Sequence, residues 1–151
     1  MTNTSFVYVT YIATTPEKLW EALTNSEFTE KYFFGSKIDS DWQTGSKVAY
    51  SRNEQITDYG EILKSEPYHL LSFTWNHVND QAYREKPSWV TFELKPMEST
   101  VKLTLKHDNL LPGDIVDKED TFEGFNNGWP AILSNLKSLL ETGETLPPIS
   151  I

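Results

Sequence analysis

Apolar side chains recur at every second position across much of the stretch 37–107, and this alternation limits the possible folds more than any other feature. Leu71, Phe73 and Trp75 fall on one face of a strand, with Ser72 and Thr74 on the other. Turn residues separate strands predicted at 36–41, 47–51, 57–64, 69–75, 89–95 and 101–107. Such an antiparallel meander has one apolar face, which must be buried against a second layer.

The C-terminal third supplies a candidate for that second layer. Its apolar residues recur at three- and four-residue steps, as on one face of a long helix: Phe122, Phe125, Trp129, Ile132, Leu133, Leu136, Leu139 and Leu140. Gly143 is a natural end for this helix. Pro130 lacks a backbone N–H, so with Gly128 it is expected to kink the helix or to divide it after Asn127.

The N-terminal residues predict a strand followed by two short helices. Residues 6–12 are rich in β-branched and aromatic side chains, and Thr15 then caps a helix that begins at Pro16. A second pattern of cap and acidic residue, from Ser26, predicts a short helix that runs to Gly35. No linker or repeat interrupts the chain, so we expect one α+β domain over 1–151 with its core at about 6–143.

Composition excludes several classes of function. Thirteen Lys and Arg stand against 22 Asp and Glu, and the net charge of −9 disfavours nucleic acids and anionic membrane surfaces as partners. The chain has no Cys, which excludes disulfides and thiol nucleophiles. No apolar run approaches the roughly 20 residues of a membrane span and no secretory signal is present, so a cytoplasmic protein is expected.

The residues that often carry chemistry form no recognisable motif. The three His residues lack metal-ligand spacing, and the glycines match no phosphate-binding or hydrolase pattern. His77 is expected at a strand end, in solvent or at the rim of a pocket. His107, next to Asp108, favours a turn hydrogen bond over base catalysis. We therefore predict no catalytic residue, no metal ligand and no cofactor.

Several segments resemble the START-like superfamily, also called SRPBCC, whose members have the helix-grip fold. The resemblance rests on 13–24 (ATTPEKLWEALT), 60–62 (GEI), 71–75 (LSFTW), 90–94 (VTFEL), 128–133 (GWPAIL) and 136–141 (LKSLLE). The branch that it resembles contains homologues of the C-terminal domain of the activator of the ninety-kilodalton heat-shock-protein ATPase. The resemblance implies a curved antiparallel sheet around the C-terminal helix, with a hydrophobic cavity between them.

The first functional hypothesis is that this cavity holds a hydrophobic small molecule, with aromatic residues as its lining and Asn126 as a polar contact. The predicted ligand-binding residues are Phe34, Trp42, Phe73, Trp75, Phe92, Phe122, Asn126 and Trp129. The alternative is that these bulky side chains fill the cavity and leave an ordinary core.

Three other hypotheses stay open from the sequence. The resemblance suggests regulation of a chaperone or another protein interaction, for which the acidic surface would be suited. An enzyme of the cyclase or dehydratase type would need a titratable group inside the cavity with a perturbed pKa. Trp89 is expected to face away from the helix, where it is compatible with a monomer or a homodimer.

Overall fold

The computed structural model describes residues 4–80 and 84–147. Within these described ranges, seven strands, three α-helices and one short 3₁₀ turn follow one another. They are β1 (Thr4–Ile12), α1 (Pro16–Thr24), α2 (Ser26–Tyr32), β2 (Lys37–Ser40), β3 (Lys47–Arg52), β4 (Gln55–Glu66), β5 (Leu70–His77), β6 (Ser88–Met97), β7 (Thr100–Leu110), the 3₁₀ turn (Pro112–Asp114) and α3 (Phe125–Thr142). The predicted strands are all present, and β7 continues three residues beyond its predicted end.

The strands form one antiparallel sheet in the order β1-β7-β6-β5-β4-β3-β2. Strands β2 to β7 follow one another as the predicted meander, and β1 returns to pair with the last strand, placing Val7 opposite Lys106. Helices α1 and α2 connect β1 at one edge with β2 at the other. The predicted α+β helix-grip fold is confirmed.

Local chemistry explains where the two short helices begin. Thr15 caps α1 as predicted, since its Oγ1 accepts a hydrogen bond of 3.2 Å from the backbone N–H of Lys18. The cap of α2 is Asn25, one residue earlier than predicted, and its Oδ1 accepts from the N–H of Glu27 at 2.8 Å. Helix α2 ends at Tyr32, so the prediction that it reaches Gly35 is wrong.

The apolar face of the sheet is buried, as its alternation predicts. Leu71, Phe73 and Trp75 are 0%, 1% and 7% exposed, and the matching positions of β6 and β7 are equally enclosed. Leu133 and Leu136 of α3 belong to the same core. Burying a side chain of this size stabilises the fold by about 1.5–3 kcal/mol, so this face accounts for much of the folding free energy.

Helix α3 is one continuous element from Phe125 to Thr142, so it is not divided after Asn127. Pro130 lies in its second turn, where the missing N–H removes a single intrahelical bond near the helix start. The helix ends as predicted, with Gly143 left-handed at φ 86°. Within the described ranges, none of the helices combines the length and apolar character that a membrane crossing requires.

Candidate functional site

A pocket of about 550 Å³ opens where the first half of α3 meets the ends of β3, β4 and β5, within the usual size range of small-molecule sites. Two groups of side chains form part of its lining. The aromatic wall consists of Phe33, Phe34, Trp75, Phe125 and Trp129. The polar set consists of Arg52, Thr57, Asp58, His77, Arg84 and Asp114. The pocket is therefore amphipathic.

The rings of the aromatic wall support one another. Trp75 and Trp129 meet nearly edge to face, with centroids 5.3 Å apart and planes at 70°. Phe33 packs on both of them, at 5.8 Å from Trp129 and 6.2 Å from Trp75. Such ring pairs contribute about 0.5–1.5 kcal/mol each beyond the area that they bury. This part of the pocket is consequently rigid and preformed.

Phe34 reaches the pocket through an unusual backbone conformation. Its φ is 50°, and Gly35 follows with φ 78°, so the chain reverses sharply between α2 and β2. A left-handed conformation at a bulky residue costs of order 1–3 kcal/mol and persists only where the surroundings impose it. The strain falls at a pocket-lining residue, as it often does at binding sites.

A hydrogen-bond chain lies behind the aromatic wall. The indole Nε1 of Trp129 donates to Nδ1 of His107 at 3.0 Å, and Nε2 of His107 is 2.9 Å from Oγ of Ser88. Oγ of Ser88 in turn donates to the carbonyl of Trp75 at 3.2 Å. Because an indole can only donate, Nδ1 of His107 must be the acceptor and Nε2 carries the proton. The chain ties α3 to three strands.

His107 is a structural group and not a base. It is fully buried in β7, and desolvation lowers its pKa to about 4, while Asp114 and Asp108 act in the opposite direction and Arg84 adds to the decrease. Both ring nitrogens are occupied. The expected turn hydrogen bond at a strand end is wrong, because β7 continues to Leu110 and carries His107 into the core.

A bulge in β4 brings Thr57 and Asp58 into the pocket. The register between β3 and β4 shifts after Tyr50, which leaves an extra residue on β4 at Thr57. Oγ1 of Thr57 donates to Oδ2 of Asp58 at 3.0 Å. Burial raises the pKa of Asp58, partly offset by that hydrogen bond and by the charges of His77 and Arg52. Asp58 is thus a titratable pocket group of the kind that proton-transfer chemistry requires.

The two pocket arginines differ in their partners. Arg84 makes a bidentate pair with Asp114, at 2.8 and 2.6 Å, and a second ion pair with Asp80. These hydrogen bonds, with Asp114 first, raise the pKa of Arg84. Arg52 donates from Nη2 to Oγ of Ser36 at 3.3 Å, and its buried Nε has no hydrogen-bond partner among the described residues. Only one of the two guanidinium groups is neutralised.

The structure brings half of the predicted ligand-binding residues to this pocket. Phe34, Trp75, Phe122 and Trp129 line it, although Phe122 precedes α3 and does not belong to the helix. Phe73, Phe92, Trp42 and Asn126 lie outside the lining. Phe73 and Phe92 belong to the closed core, and Trp42 packs against it in the turn after β2. Ligand contact itself stays a prediction for all eight.

Asn126 has a structural partner, the backbone of Val116. Its Oδ1 accepts from the N–H of Val116 at 2.9 Å, and its Nδ2 donates to the Val116 carbonyl at 3.0 Å. The amide therefore pairs with the backbone like a neighbouring strand residue, and it fixes the segment between the 3₁₀ turn and α3. This segment forms part of the pocket edge.

Sequence reasoning missed the polar set, apart from His77. Arg52 is the last residue of β3, and its only signal in the sequence is its place two residues after Tyr50 on the inward face. Nothing in the sequence marks the bulge that brings Asp58 into the pocket. Within the described parts of the chain, no cluster of three or more His, Asp or Glu side chains is arranged to hold a metal ion.

The fold and the pocket together define a START-like protein with a cavity beside its C-terminal helix. Residues 13–141 match the family described as Activator of Hsp90 ATPase homolog 1-like protein, and the chain belongs to this family. The family includes homologues of Hsp90 ATPase activators. No curated protein matches the chain significantly.

Solved structures agree with this assignment. A protein from Mesorhizobium loti is 30% identical, with a TM-score of 0.72 over 91% of this chain and 96% of that one. The Aha1 dimer from Colwellia psychrerythraea is 20% identical, with a TM-score of 0.71 over 93% and 98%. An Hsp90 activator from Plasmodium falciparum is 24% identical, with a TM-score of 0.69 over 90% and 95%. The last two likenesses concern the fold alone.

Proposed function

We propose that this chain binds a small molecule with an apolar body in the pocket between the sheet and the first half of α3. The observation that carries the proposal is the pocket itself: about 550 Å³, with a preformed aromatic wall beside a polar set. Phe34, Trp75, Phe122 and Trp129 are its proposed apolar contacts. The cytoplasmic location expected from the sequence is part of the same proposal.

Gly128 provides a direct test of the pocket. It lies in α3 and lines the cavity, and a Cβ added there would meet only the Phe122 carbonyl oxygen, at 3.6 Å. Gly128→Leu should therefore fold and occupy pocket volume, whereas Gly128→Ala adds one methyl group. Both changes should favour the helix by up to about 1 kcal/mol.

Binding can be followed with 2-naphthamide, a neutral aromatic probe, through the indole N–H signals of Trp75 and Trp129 in ¹H–¹⁵N spectra. We expect saturable shifts for the wild type and for Gly128→Ala, and their loss in Gly128→Leu. Equal shifts in all three proteins would place the probe elsewhere, and the absence of shifts in the wild type would count against the proposal.

Regulation of a chaperone ATPase is the second candidate. It is supported by family membership and by the likeness to the Plasmodium falciparum Hsp90 activator, of which the match covers 95%. Addition of this chain to an Hsp90 protein would then raise the ATPase rate. The net charge of −9 predicts that such an effect weakens as salt rises from 50 to 500 mM. An unchanged ATPase rate at saturating protein would argue against this candidate.

The oligomeric state is the remaining part of the proposed function. The Colwellia psychrerythraea relative is a dimer. Trp89 is 37% exposed in β6, as expected from its outward position. We propose either a monomer or a homodimer, and sedimentation velocity of the wild type and Trp89→Ser decides between them.

A further inference from the structure

Arg52 is the one member of the polar set with a guanidinium nitrogen that is buried and unpartnered within the described residues. The side chain lies at the end of β3, next to the two-residue turn formed by Asn53 and Glu54, which both have positive φ. Its hydrogen bond to Ser36 holds one end of the guanidinium. The guanidinium has further N–H donors, and the Arg52 side chain that carries them lines the cavity.

A buried donor without a partner destabilises the folded protein, and more so when the group is charged. No carboxylate oxygen of the described residues lies within 4.0 Å of the Arg52 nitrogens, although Asp58 is near enough to interact through its charge. The positive charge is therefore held in place without a counter-ion in contact. An anion bound in the cavity against the Arg52 guanidinium would supply the counter-ion that this charge lacks.

Arg84 shows what a satisfied arginine looks like in the same pocket. Its guanidinium already binds Asp114 and Asp80, so it has little capacity for a ligand. Arg84 is therefore a cation that stabilises the protein, whereas Arg52 is available to bind a ligand. Arg52 is also partly buried, where a charge-assisted hydrogen bond is stronger than at an exposed position.

From this contrast we infer that the natural ligand is an organic anion, a carboxylate on an apolar and preferably aromatic body. Its carboxylate binds the guanidinium of Arg52, and its body lies against the aromatic wall. This inference rests on the proposed binding function and specifies the ligand class of the same pocket.

The test compares two probes of nearly identical shape, 2-naphthoate and 2-naphthamide, which differ in charge. Their affinities are measured by calorimetry for the wild type, Arg52→Gln and Lys31→Gln. Lys31 is exposed in the last turn of α2 and does not line the pocket, so its replacement removes the same unit of charge at a remote position.

We expect the wild type to bind 2-naphthoate about tenfold or more tightly than 2-naphthamide, because a hydrogen bond to a charged group contributes about 1.5–3 kcal/mol. Arg52→Gln should lose that preference while it keeps its affinity for 2-naphthamide, which also shows that the variant is folded. Lys31→Gln should bind both probes like the wild type. Arg52→Lys, which keeps the charge and loses the fork, should retain part of the preference.

The possible failures are distinguishable. Equal affinities for the two probes in the wild type, or a preference for 2-naphthoate that survives Arg52→Gln, would overturn the anion inference and leave the proposed binding function in place. No binding of either probe to the wild type would overturn both.

Discussion

The indole Nε1 of Trp129 donates a hydrogen bond of 3.0 Å to Nδ1 of His107, and this bond joins the pocket-facing helix to β7 of the sheet. It fixes the neutral tautomer of the imidazole and, through Ser88, connects to the strand that carries Trp75. The orientation of the aromatic wall is therefore set from behind by a buried polar chain. A change in the charge of His107 would disturb all of its members.

Stability should fall as the pH decreases from about 6.5 to about 4 because of His107. Its pKa is about 4 in the folded protein against 6.5 in the unfolded chain, so the unfolded state binds the extra proton first. The free energy of unfolding should decrease by at most about 3 kcal/mol across this range and level off below it. Urea unfolding at a series of pH values measures this slope.

His107→Gln supplies the control for the pH prediction, since glutamine has a donor and an acceptor but does not titrate in this range. Its overall stability will be lower, and its pH dependence between 4 and 6.5 should be flatter than that of the wild type. Parallel slopes for the two proteins would show that groups other than His107 cause the acid sensitivity between pH 4 and 6.5.

Gly60→Ala should destabilise the protein by about 1–3 kcal/mol or more, the usual cost of overpacking. A Cβ at Gly60 would stand 1.8 Å from the carbonyl oxygen of Thr74 on β5, a backbone atom that can move only with its strand. Gly113→Ala is the matched control, because a Cβ there meets nothing within 4 Å. Thermal unfolding of both variants checks the prediction, and equal melting temperatures would contradict it.

Asn126→Ala should lower stability by about 1–2 kcal/mol through the loss of its two hydrogen bonds to the backbone of Val116. Asn127 still donates to the Val116 carbonyl, so the unpartnered group is the Val116 N–H. Hydrogen exchange at that amide should accelerate, while 2-naphthamide affinity stays within about twofold of the wild type. Lost probe affinity with unchanged stability would contradict this expectation and would support Asn126 as the ligand contact predicted from the sequence.

Asp58→Asn should bind 2-naphthoate several-fold more tightly than the wild type at pH 8, because it removes a negative charge from the pocket that is to hold an anion. The affinity for 2-naphthamide should not change. Since burial raises the pKa of Asp58, lowering the pH should reduce the difference between the variant and the wild type as Asp58 becomes neutral. Equal or weaker binding of 2-naphthoate to the variant at pH 8 would contradict this prediction.

The fold could be predicted from the sequence because its signals are local. The cap at Thr15 acts on a residue three positions away, and the inward face of β5 follows from the alternation of Leu71, Phe73 and Trp75. Features that depend on contacts between separate segments could not be predicted from local patterns. The helix start at Phe125 depends on Gly124 and on the loop before it, and the spacing of Phe122 alone could not show this.

The candidate site was only half predictable for a related reason. Phe73 and Trp75 share one face of one strand, yet only Trp75 reaches the pocket, because position along the strand decides which side chain meets the open end. The aromatic residues of the sequence do not show how far each side chain lies from the open end of the pocket. Arg52 and Asp58 are brought into the pocket by a tight turn and a bulge, and their importance depends on which partners they lack in three dimensions.

The pairing of β1 with β7 has a consequence for how the protein is made. Val7 lies opposite Lys106, and the end of the first strand is also held by Lys137 and Glu141 of α3. At about 5–20 residues per second, the ribosome needs about 5–20 s to add the 99 residues (106 − 7) that separate Val7 from its partner Lys106. During that interval the apolar residues of β1 have no sheet to join. We therefore expect slow folding, controlled by this long-range closure, and nascent chains that stop before β7 to aggregate.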